Sequence, residues 1–376
     1  MHTDETSFES PIAVGDGQQT AAAAGLPAAP AGDARRTRRM SPPSPLATGP
    51  RIASIMWFPF LVAIALPLIF ELAFHAPQPH QVPIAVVGSI RQVESVVREL
   101  HDIRPGGFDV DQTRSQAEAV AAVRDRQVAA AYVVTGQPGP VLYLARAASA
   151  TRASYLQGVF GQLAVHTRAR PPLLVDVVPL FPGDSGNGVF FFVFPMMLVG
   201  LVTVLVLLQR ASAWSVGRRM LAVAVTGAVG ATTAYVTVTR LSVLPDKPVL
   251  LLYAFFLSQI FGQLLLGAAL LLKQYFLPVA LTFVLILNVP SAGGTVPPDL
   301  LPTGLRVLSN VLPLAQGVKI TRSVAYFDRA ELLVPTLILV GWAFVALAAL
   351  VVSSKKDSPT KNNSPSAVLH SSGSEA

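Results

Sequence analysis

The chain has 376 residues, of which 52% are hydrophobic and 13% charged, whereas ordinary soluble proteins carry about 25% charged residues. This composition argues against a purely soluble enzyme, and several apolar runs approach the roughly 20 residues that cross a bilayer. The net charge of +7 comes without a basic patch interleaved with aromatic residues, so we expect no nucleic-acid partner. The lack of cysteine excludes disulfides, thiolate metal sites and a cysteine nucleophile.

The N-terminal segment is polar and is followed by a first apolar run. Residues 1–51 are rich in Ala, Pro, Gly, Ser and Thr, which predicts a disordered tail. The basic cluster Arg35–Arg39 favours a cytoplasmic location for this tail, next to a transmembrane helix at 52–75. A twin-arginine export signal is the alternative, but the apolar run is longer than the 7–15 or so residues of a signal core.

Residues 76–188 have the mixed polarity of a folded domain. Alternating strand and helix patterns predict a small α/β domain with a partly parallel sheet and one hairpin. The strands are expected at 83–88, 108–110, 130–134, 141–145 and 173–178, and the helices near 93–100, from Ser115 onward, and at 151–168. We interpret Gly183–Gly186, which resembles the surroundings of a serine-protease nucleophile, as a flexible linker to the next apolar run.

The region 189–353 contains five further apolar runs. They predict membrane spans at 189–208, 220–239, 249–272, 275–289 and 334–353. The fifth span of the chain, 275–289, is short and contains Pro278, so we expect it to be tilted, broken or only partly inserted. Residues 354–376 are expected to form a second disordered cytoplasmic tail.

The distribution of Lys and Arg in the short loops sets the expected orientation. It predicts both termini in the cytoplasm and 76–188 outside. The expected fold class is therefore an α-helical polytopic membrane protein of about six spans, with a small extracytoplasmic α/β domain inserted between spans 1 and 2.

The longest predicted cytoplasmic loop between spans is a candidate docking surface for an ATPase subunit. The residues that define it are Arg210, Trp214, Arg218 and Arg219. The alternative is a basic anchor that only obeys the positive-inside rule. The chain has no G-x-x-x-x-G-K-[ST] motif, so we expect ATP hydrolysis in a partner subunit only.

Polar and glycine residues in or beside the spans are candidates for a translocation path. They are Glu71, Gln259, Gln263, Asn288, Gly293 and Gly294. Ionisable groups at membrane depth are costly, and irregular Gly/Pro-rich chain is tolerated there only if it lines a cavity or is buried in protein. A structural or snorkelling role for Glu71 and helix–helix contacts for the two glutamines are the alternatives. Residues 305–320 predict an interfacial apolar stretch broken by Pro313.

One run of motifs resembles a known family. The motifs are Pro290–Gly294, Val296-Pro297, Leu300–Pro302, Leu312–Gly317, Arg322 and Tyr326-Phe327, together with the strand Val82–Gly88 that follows the first span. They resemble the type-2 ABC exporter permeases, especially the short actinobacterial members of the YhgE/Pip-like group, over about residues 52–353. The resemblance implies a six-span half-transporter that forms a homodimer or pairs with a second permease and works with a separate ABC ATPase subunit.

The favoured function is thus a permease subunit that exports an amphiphile, lipid, drug or polymer across the bacterial plasma membrane. The alternative is a non-transporting membrane scaffold whose outer domain binds envelope material or a secretion partner. A membrane enzyme has little support because no convergent set of titratable residues is evident. We predict no catalytic, cofactor-binding or metal-binding residues, and membrane lipids as the surroundings.

Overall fold

The computed structural model describes residues 49–74, 78–135 and 139–356, with side chains from Trp57 onward. The chain divides into two compact units, Met1–Ser54 and Ile55–Ala376. In the first, only the helical start of α1 (Gly49–Phe74) is described. The predicted tails, including Arg35–Arg39, lie almost wholly outside the described residues. Everything below concerns the second unit.

A five-stranded sheet with three helices follows α1. In chain order the elements are β1 (Val82–Val87), α2 (Ile90–Ile103), β2 (Phe108–Gln112), α3 (Gln116–Arg124), β3 (Ala130–Val133), β4 (Val141–Leu144), α4 (Ala150–His166) and β5 (Leu173–Asp176). The strand order is β2-β1-β3-β4-β5. Only the β3–β4 pair is antiparallel; β1 pairs with β2 and β3, and β4 with β5, in parallel. The predicted strands, hairpin and partly parallel sheet are therefore confirmed.

Hydrophobic patterning explains this sheet. The interior strand β1 is buried at Val82, Ile84, Ala85 and Val86, as expected for a strand covered on both faces by helices. Helix α3 begins at Ser115, whose hydroxyl accepts a hydrogen bond from the Glu118 amide.

Among the described residues, four more helical segments are long and apolar enough to cross a membrane, in addition to Trp57–Phe74. They are Gly188–Arg210, Val216–Arg240, Pro248–Ser291 and Leu333–Lys355. The corresponding helices are α5 (Gly188–Arg210), α6 (Val216–Arg240), α7 (Pro248–Leu272) and α12 (Leu333–Lys356). The protein is thus mostly helical, with five candidate spans and a small α/β sheet.

Close glycine contacts set the packing of α5, α6 and α7. A Cβ placed on Gly200 of α5 would lie 2.8 Å from the Gly262 amide nitrogen of α7, so the two backbones are nearly in contact. Thr203 Oγ1 of α5 donates to Thr226 Oγ1 of α6 at 3.0 Å. Helix α12 packs on the far side of α7, where Gly267 faces Ala349.

The candidate span Pro248–Ser291 is two arms joined by a reversal. After α7 come a 3-10 turn (Lys273–Tyr275), α8 (Phe276–Leu281), a π-helical turn (Thr282–Asn288) and the single turn α9 (Val289–Ser291). Lys273 has a φ of 51°, and the rings of Phe261 and Phe283 are 6.3 Å apart. In a straight helix residues 22 positions apart would be separated by about 33 Å, so the second arm runs back along α7. These arms correspond to the spans predicted at 249–272 and 275–289, and the number of membrane crossings stays a prediction.

A helical hairpin follows the second arm. It consists of a 3-10 turn (Pro298–Leu300), α10 (Thr303–Ser309) and α11 (Pro313–Tyr326). Helix α11 contacts α5, α7 and α12, and almost all of its residues are buried. The prediction of an interfacial stretch is wrong here: Pro313 begins a helix, where its missing N–H has no cost, and that helix lies inside the bundle.

The two ends of the bundle differ in their exposed charges: one carries cations, whereas the other carries both signs, around residues 240–246 and 328–331. Helices α5, α7 and α12 end, and α6 begins, at one end, which carries the exposed side chains of Arg210, Arg218, Lys273 and Lys355. The sheet leads into the start of α5 at the opposite end.

Candidate functional site

The most unusual feature of the bundle is the polar face of α11. Its members are Gln316, Lys319, Arg322, Ser323 and Tyr326, and we call them the α11 polar face. They recur every three or four residues and therefore share one side of the helix. Buried polar groups must be hydrogen-bonded or paired, so the partners of this face define what α11 connects.

Both ends of α11 are capped by side chains from other elements. At its start, Asn288 Oδ1 accepts a hydrogen bond from the Leu314 amide at 3.2 Å, while Asn288 Nδ2 donates to the Phe283 carbonyl at 2.9 Å. At its other end, Lys247 Nζ donates to the carbonyls of Val324 and Ala325. A cation at a helix C-terminus also interacts favourably with the helix dipole.

Arg322 is the most buried cation of the polar face, only 6% exposed. Its guanidinium donates to the carbonyls of Gly293 and Gly294 at 3.4 and 3.3 Å. Burial lowers the pKa of Arg322, opposed in part by the nearby charge of Asp184, and the group stays charged at neutral pH. The turn that accepts these bonds requires glycine at position 294, because a side chain there would overlap the ring of Phe190.

Asp184 joins α11 to the start of α5. Its Oδ1 accepts from the amides of Gly186 and Gly188, both at 2.8 Å, and its Oδ2 accepts from the Tyr326 hydroxyl at 2.7 Å. Burial and this hydrogen bond raise the pKa of Tyr326. The predicted linker at Gly183–Gly186 forms a turn held by the buried carboxylate of Asp184, whereas Gly183 and Ser185 are exposed, and its flexibility stays a prediction.

Two arginines connect the sheet region to the hairpin. Arg126, in the turn after α3, donates to Ser323 Oγ at 2.8 Å, and its guanidinium lies 5.3 Å from the ring centroid of Phe327. Arg152 Nη1 lies 3.0 Å from Asp299 Oδ2. These two contacts connect α11 and the 3-10 turn at Asp299 to the sheet region.

The two candidate path glutamines lie together, half-buried, on α7. Gln263 Nε2 donates to Gln259 Oε1 and to the Met220 carbonyl, while Gln263 Oε1 is buried without a hydrogen-bond partner. Both side chains line a cavity of about 130 Å³ between α6, α7 and α12, whose other lining residues are almost all apolar. These contacts agree with the alternative that the two glutamines hold helices together. They do not test a role in a translocation path.

Glu71 lies elsewhere. It is exposed on α1 and lines a cavity of about 450 Å³ with Gln78, His80 and residues of the segment 300–303. Asn288, Gly293 and Gly294 gather around α11, so the candidate path residues form three separate groups and not one continuous site.

The candidate docking loop joins α5 to α6. Arg210, Trp214 and Arg218 are exposed there, and Trp214 shows 46% of its surface. Arg219 differs: it is 8% exposed and donates to the Ser212 carbonyl, so it holds the loop in shape. Only the first three are available to a partner.

Among the described ranges 49–74, 78–135 and 139–356, no cluster of three or more His, Asp or Glu side chains is arranged to hold a metal ion. The chemistry that the α11 polar face supports is hydrogen bonding and charge pairing between elements.

Sequence reasoning missed the joining residues Arg126, Arg152, Asp184, Lys247 and Asp299. Arg322 and Tyr326 entered only through the motifs of the family resemblance. The available signal was the set of charged residues at three- and four-residue spacing between Gln316 and Tyr326, which is too polar for a surface that meets only lipid.

Comparisons of the chain with family models, with curated proteins and with solved structures give no match.

Proposed function

We propose that this chain is the membrane-spanning permease subunit of an exporter driven by a separate ABC ATPase subunit, and that it moves an amphiphile, lipid, drug or polymer outward. One observation carries the proposal: the polar helix α11 lies inside an apolar helical bundle and is hydrogen-bonded to six other parts of the chain. Polar and ionisable groups inside a membrane bundle are costly and are typical of transport pathways and their moving parts.

The charge difference between the bundle ends supports an orientation in the bacterial plasma membrane. Exposed Arg210, Arg218, Lys273 and Lys355 share one end, which we assign to the cytoplasm on the positive-inside rule. The chain termini then lie in the cytoplasm and the sheet outside. On this assignment the docking loop faces a cytoplasmic ATPase.

The proposed mechanism follows from the contacts of α11. An ATPase that pulls on the α5–α6 loop would tilt α5 relative to α7, whose backbones touch at Gly200 and Gly262. Since α11 packs on both helices, its bonds to Asp184 and to Gly293 would be the ones that shift. Helices α1 and α6 expose apolar side chains, among them Ile64 and Leu221, against which a second permease copy would pack.

The test is copurification with a matched pair of variants of the tagged full chain. We expect a stoichiometric ATPase with the wild type in mild detergent, and about tenfold less bound ATPase activity with Arg218→Glu. Arg240→Glu is the control, because it reverses an exposed charge at the other end of the same helix. Equal ATPase recovery from both variants, or none from the wild type, would reject the permease proposal.

A scaffold is the second candidate, and one observation favours it. Strand β5 lies at the sheet edge with Leu173 and Leu174 56% and 41% exposed, beside a cavity of about 730 Å³ lined by Gln116, Tyr143 and Asp176 among others. Exposed strand edges accept extended segments of partners. If Leu174→Arg abolishes the function of the protein in cells while Arg218→Glu does not, the scaffold proposal replaces the permease proposal.

A further inference from the structure

A basic cavity lies where α11, the turn after α3 and the start of α12 meet. Its volume is about 380 Å³, and it is lined by Arg126, Lys319, Glu331, Leu333, Val334 and Pro335. We call it the α12 mouth. Two cations and one carboxylate give it a net positive charge, and its remaining wall is apolar.

The two cations are held in place by neutral groups. Lys319 Nζ donates to the Ser309 carbonyl and to Asn310 Oδ1, both at 3.2 Å. Arg126 donates to Ser323 Oγ. Burial lowers the pKa of both side chains, and the charge of Arg126 lowers the pKa of Lys319 further. The cavity therefore concentrates positive charge that an anion would stabilise.

Glu331 forms only a weak ion pair with Arg126. Its Oε2 lies 3.5 Å from Arg126 Nη1, and its side chain is 58% exposed, so the pair is close to the limit of an ion pair and well solvated. The backbone that presents it is strained: Asp328, Arg329 and Glu331 all have positive φ values, of 44°, 69° and 56°. A solvated carboxylate in a weak ion pair is a poor competitor for an incoming anion at Arg126.

The apolar wall identifies the kind of anion. Leu333 and Val334 begin the candidate span α12 and are 71% and 64% exposed, and Leu337 one turn later is 59% exposed. A phosphate seated between the two cations would therefore have an apolar surface beside it along which hydrocarbon can lie. Basic pockets at the ends of membrane helices bind lipid headgroups in this way.

We propose that the α12 mouth binds the phosphate headgroup of an anionic phospholipid through Arg126 and Lys319, with its acyl chains along the exposed face of α12 and with Glu331 as a built-in competitor. The proposal requires a membrane at α12 but not transport or an ATPase, so it can fail or stand independently of the permease function.

The experiment measures lipid binding to the full chain in detergent by native mass spectrometry. The probes are dioleoyl phosphatidylglycerol, the zwitterionic dioleoyl phosphatidylcholine, and glycerol phosphate as a soluble competitor. We expect phosphatidylglycerol to bind about tenfold more tightly than phosphatidylcholine, and glycerol phosphate to compete only weakly because it lacks acyl chains.

Variants then locate the site. Lys319→Gln should weaken phosphatidylglycerol binding about tenfold, since it removes a charge-assisted hydrogen bond. Glu331→Gln should strengthen it severalfold, a gain that a purely structural role for these residues would not produce. Arg91→Gln, which removes an exposed charge on α2, is the control and should change nothing.

Three outcomes overturn the proposal: equal affinity for both lipids, Lys319→Gln binding like the wild type, or no gain with Glu331→Gln. Effective competition by glycerol phosphate would make the ligand a soluble phosphate and would reject the lipid.

Discussion

Helices α1 and α11 reverse the usual relation between hydrophobicity and burial. The span Trp57–Phe74 of α1 is strongly apolar, yet only 6% of it is buried inside the protein. Helix α11 contains Lys319, Arg322 and Tyr326, yet nearly all of it is buried. In a soluble protein the apolar helix would be inside and the charged one outside.

The reversal is what a lipid environment produces. Apolar side chains gain no hydrophobic free energy by leaving lipid for protein, only packing contacts, whereas polar groups must find partners inside the protein. The two helices therefore show that hydrophobicity alone does not mark the interior of this bundle, since an apolar helix is exposed and a helix with a polar face is buried.

The largest effect on stability is expected from removing the carboxylate of Asp184, which binds α11. Asp184→Ala leaves the amides of Gly186 and Gly188 without their acceptor, leaves the Tyr326 hydroxyl only the Val243 carbonyl at 3.5 Å, and removes a charge that stabilises Arg322. We expect the free energy of unfolding to fall by about 3–5 kcal/mol. Chemical unfolding in mixed micelles followed by circular dichroism measures it. Asp102→Ala, at an exposed position of α2, should stay within about 0.5 kcal/mol of the wild type.

A leucine pair tests the comparison directly. Leu314 of α11 is fully buried, and Leu68 of α1 is 63% exposed. Leu314→Ala should lower the free energy of unfolding by about 3 kcal/mol through the cavity it creates. Leu68→Ala should change it by no more than about 0.5 kcal/mol. The same unfolding measurement in micelles applies. Similar losses of unfolding free energy for both variants would contradict the reversed relation between hydrophobicity and burial.

The link between the sheet and the hairpin is testable by a double-mutant cycle. Arg152 and Asp299 are each about one-fifth exposed, so their pair is partly desolvated. We expect Arg152→Gln and Asp299→Asn to show a coupling energy of about 1–2 kcal/mol in unfolding. A coupling near zero would mean that the sheet does not depend on this contact.

The smallest expected effect concerns Tyr326. Tyr326→Phe removes its hydrogen bond to Asp184 and should cost about 1 kcal/mol at neutral pH, since Asp184 keeps two backbone donors. The folded-state pKa of Tyr326 is raised above 10.0, so its stabilisation is complete below about pH 10 and is lost as the pH rises through the folded-state pKa. Unfolding from neutral to alkaline pH should therefore show the wild type approaching the variant. A difference that persists at high pH would contradict this assignment.

The sheet was predictable from the sequence because its signals are local. Strands β1 and β3 are short buried runs bounded by turn residues, and a helical pattern starts directly after the first of them. The apolar helices were predictable for the same reason.

The environment of α11 was not predictable. Arg126 and Ser323 are 197 positions apart, so no local pattern joins them. In sequence, the polar side of α11 has the same pattern as the solvent-facing side of an interfacial amphipathic helix. The reversal at Lys273, by contrast, was predicted, because the spans expected at 249–272 and 275–289 meet there.

The side chains that hold α11 have a further consequence for biogenesis. Arg126, Asp184, Lys247 and Asn288 all precede α11 in the chain. During synthesis from the N-terminus the residues that bind this helix are therefore translated before the helix itself. A nascent chain that ends before Pro313 holds these four polar groups without the helix that they bind, and α12 is the only described helix that leaves the ribosome after α11.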